Sequence, residues 1–291
     1  MAHALDLKNR RRSTVNTGQI TKALEMVSAA RQKKAQEFLD NSRYLRIGIC
    51  DLIHQISLDA IHLADQASRD TELRFFSRPE SNRMLVITIM SQRGLCGSLN
   101  TGLFYHIAKL KRLHQDKEFE FISINKSAQR YLKNFNARII SCFDNIKENP
   151  DINDLYAIIA YVKDRAHEYD TVFLAYSDFI KSGVFEPRVT QLLPIRPQVP
   201  ASDETSEPEK LAYTIEPDPV RVLASLANLY IDLALYEAAL SSQAAEHSAR
   251  MIAMKKASDN AHEMVQKLTL EMNKARQATI TRQMAEIAAS V

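Results

Sequence analysis

The stretch Arg93-Gly94-Leu95-Cys96-Gly97-Ser98 follows an apolar run and precedes a helical pattern, which is where phosphate-binding turns sit. It lacks a full GxGxxG, carries no GK[ST], and has no acidic residue closing the next strand in the usual place. The residues therefore predict a tight structural turn. His247 and His262 have no HExxH spacing and no carboxylates arranged around them, so both read as seam or surface side chains. Cys50, Cys96 and Cys142 form no CxxC pair, which argues against a disulfide framework and a zinc site. No Ser, His and Asp arrangement stands out, so no catalytic residue, metal or cofactor is expected in this chain. The remaining chemistry lies at the C-terminus. Lys274, Arg276, Gln277, Thr281, Arg282 and Gln283 precede the small apolar end Ile287-Ala288-Ala289-Ser290-Val291. That order suits a socket with a polar ring and an apolar sleeve; a frayed, solvated terminus is the plain alternative.

These residues ride on Pro219 to Val291, which contains no further Pro and no Gly and consists mostly of strong helix formers. Heptad counting from Leu223 gives a mainly apolar seam that includes Met251, Met254, Val265, Leu268 and Met272, with Ser258, Ala261 and Ala275 as small members. As one helix it runs on the order of 100 Å, longer than any compact domain this chain can build. It must project. A second long helix is expected from about Leu5 to Ile56, with Ile20, Leu24 and Val27 on its seam and Leu45, Ile49, Leu52 and Ile56 continuing it. Two such seams predict an antiparallel intramolecular coiled coil, with the second helix longer by about 20 residues and its tip, from about Asn273, unsupported. The small seam residues fit either an ordinary coiled coil or a slender shaft made for a narrow passage.

Between the helices, Met84 to Met90, Phe119 to Ile124, Arg138 to Phe143 and Thr171 to Tyr176 read as strands separated by helical stretches. The alternation predicts a mostly parallel βαβ sheet with helices on its faces. The passage from Val189 to Pro200 is Pro-rich and reads as an extended surface segment before an acidic loop. Tyr213 to Glu216 reads as a brief edge strand. The expected organisation is an N-terminal coiled-coil helix over 1–57, a central Rossmann-like α/β domain over 58–210 and a C-terminal coiled-coil helix over 211–291.

The chain has 291 residues, 45% of them apolar, and a net charge of +3, so neither disorder nor general polyanion binding is implied. Cysteine usage fits a reducing compartment. No signal peptide or apolar run of membrane-spanning length is read, so membrane contact is expected only through a partner.

Several segments resemble the gamma subunit of F-type ATP synthases. Asn16 to Val27 (NTGQITKALEMV) is similar to that family's first helix, and Ser91 to Asn100 (SQRGLCGSLN) to its turn after the first central strand. Ala249 to Lys255, Asp259-Asn260 and Asn273 to Thr281 are similar to its last helix, and Tyr213 to Pro219 to the entry into that helix. The resemblance spans nearly the whole chain in matching order. It implies a non-catalytic rotor shaft that couples rotation of a membrane c ring to ATP synthesis or hydrolysis on a ring of alpha and beta subunits, with epsilon beside its foot. It also implies beta-subunit contacts at Arg276, Gln277 and Thr281, an apical bearing at Ile287, Ala288, Ala289 and Val291, and foot contacts near the c ring at Tyr213 and Glu216. The implied location is the cytoplasmic face of the bacterial inner membrane or, alternatively, the mitochondrial matrix side. Departures from the family pattern fall at Gly18, Gln19, Leu24, Gln92, Ser98 and Gln283. Gly18 puts a glycine inside a helix at a cost of about 1 kcal/mol.

Two other classes remain in view. The basic start at Arg10 to Arg12 with a dimerising seam suits a coiled-coil scaffold or DNA-binding protein, whose binding would be steeply salt-dependent. A nucleotide-dependent enzyme on the central sheet would bind nucleotide as an isolated chain.

Overall fold

In a computed structural model, the described residues are 2–60, 73–144, 146–148, 150–196, 215–216 and 218–289. Helix α1 spans Ala2–Ala60 and α5 spans Pro219–Ala289. Each lacks internal proline, and the glycines at 18 and 48 do not interrupt α1. Proline opens α5, where its missing N–H has no helical partner to lose.

Between them lie β1 (Arg83–Ile89), α2 (Leu99–Leu113), β2 (Glu118–Ile124), α3 (Asn125–Asn134), β3 (Arg138–Phe143), α4 (Tyr156–Arg165), β4 (Thr171–Lys181) and β5 (Val184–Leu193). The sheet order is β3-β2-β1-β4-β5, parallel except for β5, which runs antiparallel to β4. Strand β1 is the centre because both faces of Met84–Ile89 are apolar and nearly water-free. Its Met84 and Val86 pack with Leu103 and Ile107 of α2 and Leu132 of α3. Its Leu85, Ile87 and Ile89 pack with Ile158 and Val162 of α4 and with Ala227, Ile231 and Leu235 of α5. Thus α5 is at once the outer layer of the sheet and half of the coiled coil.

Three sequence expectations change. Of the passage expected to be extended from Val189 to Pro200, Val189–Leu193 belongs to the edge strand β5 (Val184–Leu193), turned back on a lengthened β4 through Ser182 and Gly183, the latter at φ 84°, and residues 197–200 lie outside the described residues. Pro187 is tolerated there because an edge strand need not donate on its outer side. Ile215 and Glu216 have no strand conformation, and Tyr213 lies outside the described residues. Finally, one 18-residue window of α5 reaches a mean hydropathy of 1.3, long and apolar enough to cross a membrane by composition, where no such run was read. Apolar residues of the same helix pack against the sheet.

Candidate functional site

The site is the shaft itself. On α1 the buried seam is Leu7 and then, seven apart, Thr21, Ser28, Ala35, Ser42, Ile49 and Ile56, with half-buried Thr14 in the same register and Gln32, Leu39 and Ile53 between them. On α5, Met254, Ala261 and Leu268 are buried and Met251, Val265 and Met272 half-buried. The expected α1 seam is therefore corrected. Ile20 is 61% and Val27 47% exposed, while their neighbours Thr21 and Ser28 face α5; Leu24 is half-buried. Leu45 and Leu52 also face outward, whereas Ile49 and Ile56 face in.

The physical reason is the narrowness of the seam. A Cβ built on Gly18 would lie 3.3 Å from the Cβ of Ala261, a contact with no room for a larger side chain. Thr21 fits by folding its hydroxyl back to donate to the carbonyls of Thr17 and Gly18, each at 3.0 Å. Ile20 and Val27 lie on the outer face beside these small seam positions, whereas Leu39, Ile49, Ile53 and Ile56 are buried further along α1. The register closes near the helix start, where Leu7 is buried and Arg11 Nε donates to Thr269 Oγ1 at 3.1 Å. From Arg276 onward, every described side chain of α5 is exposed, including Arg276, Gln277, Thr281, Ala288 and Ala289. Ile280, Met284 and Ile287 are apolar and 45%, 66% and 65% exposed. Glu216 is exposed near the other end, and Val291 lies outside the described residues.

A set of buried charges ties the α/β body to the shaft. The glycine turn carries positive φ at Leu95 (64°) and Gly97 (60°). Its preceding amides do not face an open crevice: Gln92 N–H and Arg93 N–H donate to the Glu246 carboxylate of α5 at 2.7 and 3.1 Å. Glu246 also pairs with Arg250 one turn on, and Arg250 donates to the carbonyls of Gly94 at 3.2 Å and Arg93 at 3.3 Å. The protein's own carboxylate thus takes the place a phosphate takes in a nucleotide-binding turn. His247 is buried beside this clamp. Burial, then the charges of Arg250, Arg31 and Arg93, push its pKa down to about 4, so it is neutral near pH 7.

Lower on the shaft, Glu237 of α5 pairs with Arg46 of α1, and Arg43 lies 3.7 Å from the same carboxylate. Burial opposes the Arg46 charge, but hydrogen bonding to Glu237 and its charge outweigh this and raise the pKa. Arg43 also donates to Asp178 of β4 at 2.8 Å and to the Phe179 carbonyl at 2.7 Å, and Ser241 donates to Asp178 at 2.9 Å. One arginine therefore links α1 to the sheet while its neighbour links α1 to α5. Sequence reading missed Glu246, Arg250, Arg43, Arg46 and Asp178. The available signal was Glu237, a charge standing at a seam position of the heptad count.

The ATP synthase family model matches residues 3–291. A relative called ATP synthase gamma chain from Xanthomonas campestris is 36% identical over 292 residues, covering 99% of this chain and 98% of the relative. The Legionella pneumophila ATP synthase gamma chain is 32% identical, again over 99% of this chain and 98% of its own. This chain belongs to the ATP synthase gamma-chain family. The fold agrees with solved structures. A chain of the Euglena gracilis mitochondrial ATP synthase, from an assembly of OSCP, F1 and c ring, superposes with a TM-score of 0.64 at 17% identity, covering 99% of this chain and 93% of that one. A chain from the central stalk and c ring of the Tetrahymena thermophila mitochondrial enzyme gives 0.59 at 24% identity, over 82% and 99%. In this chain the clamp and the arginine links join the α/β body to the coiled coil.

Proposed function

We propose that this chain is the central rotor shaft of an F1Fo ATP synthase and couples rotation of a membrane c ring to ATP synthesis or hydrolysis on an alpha–beta ring. The observation that carries the reading is the tip of α5, where Ile280, Met284 and Ile287 are exposed beyond the paired seam. An exposed helical tip is marginal in water, and an apolar one needs a sleeve. Ile20 and Val27 are further exposed apolar residues, on α1 beside the paired part of the shaft.

Arg276, Gln277 and Thr281 are assigned to contacts with beta subunits, where Arg276 can make charge-assisted hydrogen bonds to acidic loops. Ile287, Ala288, Ala289 and Val291 are assigned to the apical bearing, which turns without specific bonds to break. Tyr213 and Glu216 are assigned to the foot beside the c ring, with epsilon nearby. The chain is a non-catalytic part of the complex, with no active site of its own. It sits peripherally at the cytoplasmic face of a bacterial inner membrane and meets the membrane through its partners.

Co-purification tests the reading. The tagged chain should bring down alpha, beta and epsilon subunits with ATPase activity; a stable complex lacking alpha and beta subunits would sink it.

A further inference from the structure

We propose that a cleft at the end of α2 binds a phosphate group, a site separate from the shaft contacts above. The cleft has a volume of about 300 Å³ and is lined by Ala108, Lys111, Arg112, His114, Gln115, Lys117 and Phe135. Apart from Phe135 and Ala108, every lining side chain can donate a hydrogen bond, and no carboxylate lines it. The ligand chemistry is therefore anionic and rich in acceptors. A cleft of this size holds a phosphate or a phosphate-bearing headgroup.

The donors are available. Arg112, His114 and Gln115 make no side-chain hydrogen bond or ion pair among the described residues. Lys111 lies over the Phe135 ring, 4.8 Å from its centroid, which leaves its N–H groups free of any carboxylate. Lys117 uses one donor on Asp170 at 3.2 Å and one on the Ser81 carbonyl at 3.1 Å, so one of its three remains. Asp170 is already bonded to Arg78.

Basic residues in a last helical turn are ordinary complements to the helix dipole, and Lys111 and Arg112 hold such positions. That explanation does not reach Gln115 or Lys117, which lie beyond the helix end and line the same cleft, Lys117 while also bonded to Asp170 and the Ser81 carbonyl. The flanking acids Asp116 and Glu118 are exposed and do not line it. The arrangement concentrates positive charge in a concavity, where a doubly charged phosphate gains most.

The test uses the full-length chain, with phosphorus-31 NMR titration of inorganic phosphate and pyrophosphate, and co-sedimentation with phosphatidylglycerol vesicles against phosphatidylcholine vesicles. The wild type should bind at least one of these probes. Lys111→Gln/Arg112→Gln should weaken that binding on the order of tenfold, as loss of two charge-assisted donors implies, with an unchanged unfolding midpoint. Binding of the soluble anions without vesicles assigns a free phosphate compound; vesicle binding with the same sensitivity assigns a lipid headgroup. Arg112→Gln alone, on an exposed side chain, reads the site if the double variant is unstable. Arg10→Gln/Arg12→Gln should leave binding unchanged. The proposal is overturned if no probe binds the wild type, or if the Lys111 and Arg112 variants bind as it does.

Discussion

Gly18 of α1 and Ala261 of α5 face each other closely across the shaft: a Cβ on Gly18 would stand 3.3 Å from that of Ala261, tighter than ordinary van der Waals contact. A glycine that weakens its own helix is thus matched to the neighbour it packs against. Gly18→Leu should overpack this contact and destabilise the chain by about 1–3 kcal/mol, while Gly18→Ala should change stability by less than about 1 kcal/mol because better helix propensity offsets the tight contact. Urea unfolding of the purified chain measures both. A Leu variant as stable as the wild type would refute the close approach.

The outward position of Ile20 and Val27 separates assembly from folding. Ile20→Gln and Val27→Gln should leave the free chain within about 0.5 kcal/mol of wild type, as expected for exposed positions. Both should lower recovery of alpha and beta subunits on co-purification. Unfolding curves and pull-downs on the same preparations make the comparison, and a large loss of free-chain stability would restore these residues to the seam.

Met254 is 5% exposed within the seam, so Met254→Lys places a charge where no partner awaits it. The expected loss is at least about 2 kcal/mol, with impaired assembly. Thermal unfolding reads the first effect and subunit co-purification the second; normal values for both would shift the α5 register.

Removal of Glu246 strips the turn of its acceptor and leaves Arg250 buried beside it. Glu246→Ala should cost about 3–5 kcal/mol. Hydrogen exchange at the Gln92 and Arg93 amides should speed up well before the rest of β1 and α2 respond. Unchanged protection of those two amides would remove the clamp from the account.

His247 links this region to pH. Its pKa is depressed to about 4 from an ordinary 6.5, so the unfolded chain binds the proton first as pH falls. The His247 contribution is therefore complete above about pH 6.5 and is lost progressively down to about pH 4, amounting to about 3 kcal/mol. His247→Gln should flatten stability against pH across that window. An unaltered pH profile in the variant would exclude His247 as its source.

Much of the fold is legible along the chain because its signals are local. Long runs without Pro or Gly continue as helix whatever they touch, and the apolar strands Met84–Ile89 and Phe119–Ile124 can only be buried. Strand β5 was less legible because Pro187 within it and the prolines that follow it resemble a linker, and only the turn at Gly183 and pairing with β4 make it a strand. The clamp was not legible at all: Glu246 and Gln92 are far apart in sequence, and no local pattern joins a helix carboxylate to two loop amides.

The tip and seam show the division most clearly. Sequence by itself determined that α5 is a long uninterrupted helix with a heptad of apolar residues, and that a polar, basic stretch precedes a small apolar end. It also determined the family, because matching segments recur in order. Only the tertiary structure decided which face of α1 meets α5. Hydrophobicity favours Ile20 and Val27, but packing depends on the volume available opposite each position, and Ala261 stands too close to Gly18 to admit a large side chain there.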